Sequence, residues 1–410
     1  MFLSINKNKI QEILTWLITL LPIFFIIGNL AINLFTILFS IISIIYFFKE
    51  KIKFLLKFIE VIFLLFCVTL IISTLLNEAD IVKSILYLRY FILFYFLNFF
   101  LNNINIDYEK IFKFYTVITT LIGLDLIFQH FIGFNIIGLE IIDNEATSFF
   151  GDEGIAGSFV KAFGFFVVFT IFSKINYNKN FKFILPIIFL SIINVSILVS
   201  WQRVPMIIWS VFLLFYGILY FRKKLLSILI SFIVLAFFIS TFVPNETQKR
   251  YGSFYDNVVD LAPRAFLMYE VHTDKQKNIE IRASKTKRNE LNKGTGHHNL
   301  FINSIILWQE NKIFGIGIKN FLKKCNEKIL FRCSLHPHNY YLDILVTTGL
   351  VGFILIMLIL ATIFLRSLKM IRQLISIRNK EDFNFSILYF VNFLIFFFPF
   401  QSTGGFFTTS

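Results

Sequence analysis

Apolar stretches separated by short polar breaks follow one another along most of the chain. A helix that crosses a lipid bilayer needs roughly 20 apolar residues, and about eleven stretches come close to that length. This pattern predicts an all-α polytopic membrane protein with about eleven transmembrane helices. The predicted spans cover residues 11–28, 30–48, 58–76, 84–101, 111–131, 156–173, 183–200, 204–221, 225–243, 340–365 and 384–400.

Basic residues concentrate in alternate breaks between the predicted spans. Because short loops rich in lysine and arginine stay in the cytoplasm, these breaks indicate the cytoplasmic side. The long segment 244–339 then lies outside the cytoplasm, and its own basic residues are compatible with this because long loops are translocated regardless of charge. We therefore predict an N-terminal transmembrane bundle of about nine spans over 1–243, an external loop over 244–339, and C-terminal spans within 340–410.

Composition agrees with the span pattern. Hydrophobic residues make up 57% of the chain and charged residues 16%, a balance that excludes an ordinary soluble globular protein. The formal net charge is +14. Basic cytoplasmic loops beside anionic lipid headgroups explain most of this charge, so we expect membrane lipids as partners and no nucleic acid. The first apolar run follows Lys7 and Lys9 and leads directly into further spans, so we expect no cleavable signal peptide.

The polar residues within or beside the predicted spans gather at the external ends of those spans. A charged residue in a span is costly and usually faces protein or water, which makes Arg89, Asp125 and Arg203 functional candidates. Two structural interpretations compete with this one. Arg89 and Asp125 could neutralise one another as an ion pair, and Arg203 could extend to lipid headgroups. The other polar residues on this side are Gln129, His130, Asp152, Glu153, Gln202, His336 and His338.

Two histidines stand where the external loop enters the tenth predicted span, in the segment His336-Pro337-His338-Asn339. Histidine gains or loses a proton near neutral pH, so the pair is a candidate for proton transfer at the membrane surface. A metal site is the alternative, although no clear third and fourth ligands accompany the pair. Arginines at this depth indicate a phosphate or diphosphate ligand, because the planar guanidinium matches phosphate oxygens. A polyprenyl diphosphate would fit this arrangement.

The external loop carries two further candidate features. Lys319 follows the short turn Gly315-Ile316-Gly317, which by itself is equally consistent with a plain turn. Cys325 and Cys333 both lie in this loop, and a cysteine pair in an oxidising compartment is more often a disulfide than a metal site. Such a bond would stiffen the chain just before His336.

Several short motifs occur in order along the chain. They are Asp125-x-x-x-Gln129, Phe150-Gly151-Asp152-Glu153-x-x-Ala156-Gly157-Ser158-Phe159, Ser200-x-Gln202-Arg203, Phe314-Gly315-Ile316-Gly317-Ile318-Lys319-Asn320-Phe321-x-x-x-Cys325 and His336-Pro337-His338-Asn339-Tyr340-Tyr341-Leu342. Together they resemble the O-antigen ligase and O-antigen polymerase superfamily, which comprises integral-membrane glycosyltransferases that use undecaprenyl-diphosphate-linked glycans. The resemblance extends from Ser84 to the C-terminus. The chain departs from the family before Arg203, where Trp201-Gln202 replaces an acidic residue or glycine.

The resemblance implies a GT-C-like fold, usually with twelve spans, and a long external loop that is helical, here over 264–310. It also implies a multi-pass protein of the bacterial inner membrane with its active site facing the periplasm. Arg203 matches the arginine that is thought to bind the donor diphosphate in the family. His338 matches the proposed catalytic histidine of the ligases.

On this basis we expect a metal-independent, inverting glycosyl transfer that needs no cofactor. The donor would be an undecaprenyl-diphosphate-linked glycan, and the acceptor either lipid A core or another lipid-linked glycan. We favour O-antigen ligase over polymerase because His-x-His-Asn after Gly-Ile-Gly-Ile-Lys resembles the ligase branch more closely. A transporter and a noncatalytic scaffold are alternatives from other classes. His338 and Arg203 would be catalytic. The residues expected to bind diphosphate or glycan are Arg89, Lys319, His336, Asn339, Asp125, Gln129, Asp152 and Glu153.

Overall fold

The structure is a computed structural model that describes residues 7–104, 106–142, 145–151, 154–174, 181–219, 225–243, 296–328, 333–377, 380–399 and 404–407. Within these ranges the chain forms helices and no β-strand, which agrees with the predicted all-α class. The helices are α1 (Lys7–Thr19), α2 (Leu21–Ile27), α3 (Asn29–Lys49), α4 (Phe58–Leu76), α5 (Ile81–Leu86), α6 (Leu88–Asn103), α7 (Tyr108–Ile132), α8 (Ala156–Phe169), α9 (Phe181–Val199), α10 (Arg203–Leu219), α11 (Leu225–Phe242), α12 (Gly296–Glu310), α13 (Phe321–Glu327), α14 (Tyr340–Ile377) and α15 (Lys380–Phe396).

Side chains at the helix ends satisfy backbone groups that the helices leave open. The Asp80 carboxylate accepts a hydrogen bond from the Lys83 backbone N–H at 3.2 Å and so caps α5. Asp107 caps α7 in the same way, through Lys110 N at 3.0 Å. Gly133 ends α7 in the left-handed conformation at φ +94°, where glycine is favoured.

Six helices are long and apolar enough to cross a membrane, among the residues that the structure describes. A seventh candidate is the pair α1 and α2, which bends by 49°. Four shorter apolar helices lie over Ala156–Phe172, Ile184–Val199, Arg203–Gly217 and Ser386–Phe396, where the sequence also predicts spans. The protein is therefore a multi-pass membrane protein, and the number of eleven spans and the GT-C-like fold remain predictions.

The chain divides into two compact units. Unit 1 comprises Met1–Leu55, Ile92–Val243 and Ile363–Phe398, and unit 2 comprises Leu56–Phe91, Pro244–Thr362 and Pro399–Ser410. The predicted division into 1–243, 244–339 and 340–410 follows the order of the sequence and remains a prediction. Most of the predicted external loop, including the helices expected from residue 264 to 295, lies outside the described residues.

Aromatic side chains dominate one core of unit 1, where α1, α3 and α6 meet. Phe39 packs edge-on against Phe100 with ring centroids 5.9 Å apart, and Phe47 packs edge-on against Phe96 at 5.0 Å. Such edge-to-face pairs are favoured by the ring quadrupoles. Helices α7, α8, α9 and α11 pack together in the same unit, with Trp209 of α10 buried and donating a hydrogen bond from Nε1 to Asn194 Oδ1 at 2.7 Å.

In unit 2, helix α14 is interrupted at Gly349, whose backbone adopts φ +66°. The turn that precedes α13 fills this break. The backbone N–H of Ile316 donates to Val346 O at 2.8 Å, and that of Gly317 donates to Thr347 O at 3.0 Å. These two hydrogen bonds satisfy carbonyl groups that the interrupted helix leaves open.

Glycine is required where this turn meets α14. A Cβ at Gly315 would lie 2.5 Å from the carbonyl oxygen of Val346 and 2.6 Å from the backbone nitrogen of Gly349. Both glycines also have positive φ angles, at +69° for Gly315 and +66° for Gly349. The Gly-x-Gly motif is therefore a close-packing element of unit 2.

Candidate functional site

Asp125 lies in the last turns of α7 in unit 1 and is 8% exposed. Its Oδ1 accepts a hydrogen bond from the Ile136 backbone N–H at 3.0 Å, and its Oδ2 accepts one from the Ser148 hydroxyl. Both partners belong to the loop that follows α7. The Asp125 carboxylate thus holds the loop against α7 at two positions, Ile136 and Ser148.

Gln129, one turn later on α7, is fully buried and binds the same loop. Its Oε1 accepts from the backbone N–H groups of Thr147 at 2.9 Å and Ser148 at 2.7 Å. Its Nε2 donates to Leu139 O at 3.0 Å. The spacing Asp125-x-x-x-Gln129 therefore places two loop-organising side chains on one face of α7. Asp152 and Glu153, which follow in sequence, lie outside the described residues.

The break between α9 and α10 is fixed by Gln202 in unit 1. Gln202 Oε1 accepts from both the backbone N–H and the hydroxyl of Ser158, each at 2.9 Å. Its Nε2 donates to the Gly154 carbonyl. Gln202 thus provides a cap for the first turn of α8 from another part of the chain. These contacts give Gln202 a structural role at the break between α9 and α10.

Gly157 lets α8 approach this break closely. A Cβ at Gly157 would lie 3.2 Å from Ser200 Cβ and 3.3 Å from Gln202 Cβ. The Gly157-Ser158 pair and the Ser200-x-Gln202 motif, which are far apart in sequence, thus form one packed junction in unit 1. The junction sets where α10 begins.

Arg203 is the first residue of α10 and is half-buried. Its guanidinium makes no hydrogen bond or ion pair with any residue in the described part of the chain. The beginning of a helix carries partial positive charge, which adds to the charge of the arginine.

Lys161 is a buried cation on α8 in unit 1 that the predicted site residues do not include. It lies one turn after Gly157 on α8 and is only 8% exposed. The signal was a lysine inside a predicted span, which marks a functional candidate in the same way as Arg89 or Asp125. The motif that resembles the family ends at Phe159, two residues before Lys161.

Unit 2 contains the two predicted histidines. The backbone N–H of His338 donates to His336 Nδ1 at 3.2 Å, and the two ring centroids are 4.1 Å apart. His336 Nδ1 is thus the acceptor of this hydrogen bond. His338 adopts φ +58°, an uncommon conformation for a residue with a side chain. The backbone at His338 is therefore specified by its surroundings.

Asn339, the residue that follows His338, makes several of the hydrogen bonds in this region. Its Oδ1 accepts from the backbone N–H groups of Tyr341 at 3.0 Å and Leu342 at 3.1 Å, which makes it the cap of α14. Its Nδ2 donates to Pro399 O at 2.8 Å. Asn339 thus joins the histidine segment to the start of α14 and to the C-terminal part of the chain.

Lys319 follows the Gly-x-Gly turn in unit 2 with φ +57°, and its side chain is exposed. Among the described residues its ammonium has no hydrogen bond or ion pair. Partial burial lowers the pKa of Lys319, the nearby Lys83 lowers it further, and the Asp343 carboxylate raises it. Asn320 anchors the turn by donating from Nδ2 to Ile316 O at 2.9 Å.

Arg89, near the start of α6 in unit 2, binds a neighbouring tyrosine. Its Nη2 donates to the Tyr90 hydroxyl at 3.1 Å, and its guanidinium carbon lies 4.9 Å from the Tyr90 ring centroid. A cation over an aromatic face is stabilised by the ring quadrupole.

Cys325 and Cys333 form a disulfide with Cα atoms 5.8 Å apart. Cys325 is fully buried in an apolar cluster with Leu300, Leu307 and Phe321, and Cys333 packs against the same cluster. The bond ties α13 to the segment that leads to His336. No three His, Cys, Asp or Glu side chains come together as a metal site among the residues described, and metal independence remains a prediction.

Replacing both cysteines by alanine is expected to lower thermal stability without abolishing folding. Closing a loop of this length stabilises a protein by about 2–3 kcal/mol in the chain-entropy account. Thermal unfolding of the detergent-solubilised protein, with and without dithiothreitol, measures the effect. The reductant should lower the Tm of the unaltered protein and leave that of Cys325→Ala/Cys333→Ala unchanged. Equal sensitivity of both proteins would contradict a disulfide here.

The long apolar helices define a multi-pass membrane protein. Residues 186–357 match the family model described as O-Antigen ligase. This match covers less than half of the chain and confirms the predicted resemblance to the O-antigen ligase and polymerase superfamily, whose members are glycosyltransferase-like enzymes acting on lipid-linked glycans. The matched segment includes Arg203, Lys319 and His338. A comparison with curated proteins gives no match.

Proposed function

We propose that this protein is a membrane glycosyltransferase that moves a glycan from undecaprenyl diphosphate to an acceptor sugar at the periplasmic face of the bacterial inner membrane. The observation that carries the proposal is Arg203, which lies within the matched family segment and has a guanidinium without a partner among the described residues. A half-buried arginine at the start of an apolar helix is costly to keep unpaired. A diphosphate would supply the negative charge that pairs with the Arg203 guanidinium.

In the proposed reaction His338 is the general base. It takes the proton from an acceptor hydroxyl while the hydroxyl oxygen attacks the anomeric carbon of the donor glycan. The bond between that carbon and the diphosphate oxygen breaks, and undecaprenyl diphosphate leaves with the bonding electrons. Attack opposite the leaving group inverts the configuration of the anomeric carbon, and the reaction uses no metal or other cofactor.

Negative charge grows on the leaving diphosphate, and fixed cations stabilise it. Arg203 carries most of this role, and Arg89 and Lys319 support it. Preorganised charges of this kind are often the largest contribution to catalysis, because they need no reorganisation when the reaction occurs. The Lys319 ammonium suits the role because it has no ion pair with the described residues.

The other predicted residues act on the substrate through the backbone they hold. His336 and Asn339 orient the His338 segment through the hydrogen bonds at His336 Nδ1 and at the α14 cap. Asp125 and Gln129 shape the loop after α7, through which we propose that they contact the glycan. The proposed contribution of Asp152 and Glu153 continues to rest on the sequence alone.

Among acceptors, we propose lipid A core, which makes the protein an O-antigen ligase, with O-antigen polymerase as the second candidate. Deleting the gene and separating the lipopolysaccharide by gel electrophoresis distinguishes them. For a ligase, we expect complete loss of glycan-capped core, restored by the plasmid-borne gene. Core that carries a single repeat unit would indicate a polymerase. An unchanged lipopolysaccharide pattern would refute both assignments and favour a transporter or scaffold of another pathway.

A further inference from the structure

Asp343 is a buried carboxylate for which the proposed mechanism gives no role. It lies in the first turns of α14, five residues after His338, and is 4% exposed. Its Oδ2 accepts a hydrogen bond from the Phe406 backbone N–H at 2.7 Å, and its Oδ1 accepts one from the Thr347 hydroxyl at 3.4 Å. The Phe407 backbone also donates to it. A buried carboxylate is costly unless donors satisfy it, and here most of them come from the C-terminal segment.

The C-terminal segment Gly404–Phe407 packs within unit 2 beside these hydrogen bonds. The Phe406 ring lies 5.9 Å from that of Tyr340, the first residue of α14. Phe407 is 5% exposed and lies 5.3 Å from Tyr87 and 6.3 Å from Phe66. These aromatic contacts position the segment within unit 2, and the Asp343 carboxylate binds its backbone at Phe406.

Two side chains at the start of α14, the cap Asn339 and Asp343 four residues later, each bind a backbone group that follows α15. Asn339 binds the Pro399 carbonyl at 2.8 Å, and Asp343 binds the Phe406 amide. Asn339 also caps α14 directly after His338. The turn of α14 that Asp343 ties to Phe406 directly follows this cap, so a shift of that turn would displace the backbone at Asn339 and at His338, whose φ is +58°.

Asp343 also acts electrostatically on Lys319 of the Gly-x-Gly turn. The charged groups that affect the Lys319 ammonium are Lys83 of α5 and Asp343 of α14, with opposite effects. Asp343 raises the pKa of Lys319 and so favours its protonated form. This charge influence gives Asp343 a second route to the site, one that a purely structural residue would lack.

We infer that Asp343 is a positioning residue of the transfer site: its carboxylate holds the Gly404–Phe407 segment against the start of α14 and thereby orients the backbone that carries His338. The inference rests on the proposed function, because it assigns Asp343 to the histidine that this function uses as base. It also makes the C-terminal segment a part of the site. Gly404-Gly405-Phe406-Phe407 would then be needed for catalysis rather than for membrane insertion.

The test is Asp343→Asn in the full-length protein, assayed for glycan transfer with a labelled polyprenyl-diphosphate glycan. The amide keeps the size of the side chain and removes its charge and one acceptor oxygen. We expect kcat to fall on the order of tenfold to a hundredfold, as for a small misplacement of a catalytic group, with little change in the KM for the donor. A matched Thr347→Val variant, which removes the weakest of the donors, should stay within about threefold of the unaltered protein.

The pH profile separates positioning from simple destabilisation. Protonated Lys319 is the active form in the proposed mechanism, so activity is lost as the pH rises through the pKa of Lys319. Removing the Asp343 charge lowers that pKa, and the alkaline limb of the rate profile should move to lower pH in Asp343→Asn. Arginine does not titrate in this range, so adding Lys319→Arg to the variant should abolish the shift.

An unchanged kcat together with an unchanged alkaline limb would overturn the inference. If Asp343→Asn fails to accumulate in the membrane, Phe407→Ala provides the test, because it loosens the same segment without leaving a polar group unpaired. A normal kcat for Phe407→Ala would then overturn the inference. Failure of the proposed function looks different, because the unaltered protein would itself show no glycan transfer.

Discussion

Replacing His338 by alanine should abolish glycan transfer by the purified protein while leaving its folding intact. A positioned general base contributes about 10²–10⁴-fold to a rate, and alanine has no group that replaces it. Donor binding should change little, because the diphosphate is proposed to bind through arginine and lysine side chains. The measurement is a time course with radiolabelled donor and purified acceptor, at saturating concentrations of both.

His336 provides the matched control for this variant. Asparagine can place an oxygen close to the position of His336 Nδ1, where the His338 backbone donates its hydrogen bond. His336→Asn should therefore retain more activity than His336→Ala, and both should retain more than His338→Ala. A purified His338→Ala protein that transfers glycan at the normal rate would exclude His338 as the base. The reverse order, with His336→Ala the most damaging, would move the role of base to His336.

The helical architecture and its membrane character follow from local features of the sequence, which explains why they are predictable. Apolar length identifies a helix such as α4 without knowledge of its neighbours. The identities of Asn339 and Asp107 as capping residues are equally local, because the side chain bonds to backbone within the next turn. The family motifs predict which residues belong to the site and their order along the chain. They do not predict the distances between those residues.

Contacts between distant parts of the chain are what the sequence alone leaves undetermined. Asp343 follows the histidines closely in the sequence, but the backbone N–H that donates to its carboxylate belongs to Phe406, 63 positions later. The Gln202 side chain similarly accepts a hydrogen bond from Ser158, 44 positions earlier. Helical periodicity reports only which face of a helix a side chain shares with its neighbours. Partners of this kind become visible only when the packing is known.

The same limit explains the predicted roles of Asp125 and Gln129. Sequence reasoning treats polar residues in a span as ligands for a substrate, because burying them is costly. In the structure, backbone and hydroxyl groups of the following loop satisfy the Asp125 carboxylate. The cost of burying a polar residue in a membrane helix can therefore be offset in two ways: by hydrogen bonds to other parts of the protein, or by direct binding of a substrate. Arg203 differs because its guanidinium has no hydrogen-bond or ion-pair partner among the described residues.

Arg203→Ala should reduce glycan transfer by about 10²–10³-fold, the range seen when one preorganised group that stabilises transition-state charge is removed. The KM for the donor should rise as well, because the diphosphate is already charged before the reaction. Arg203→Lys should be intermediate, since lysine keeps the charge and loses the two-pronged geometry that fits phosphate oxygens. Arg366→Ala, which removes an exposed arginine on α14, serves as the control and should retain normal activity.

Stability separates this role from a structural one. Because the Arg203 guanidinium makes no hydrogen bond or ion pair with the described residues, its removal should leave the Tm of the ligand-free protein nearly unchanged. Gln202→Ala should lower the Tm, because it removes three hydrogen bonds to the start of α8. A polyprenyl diphosphate should raise the Tm of the unaltered protein and of Arg366→Ala, and fail to raise that of Arg203→Ala. If the ligand stabilised Arg203→Ala as strongly as the unaltered protein, the diphosphate would be held elsewhere, and Lys161 would be the next residue to replace.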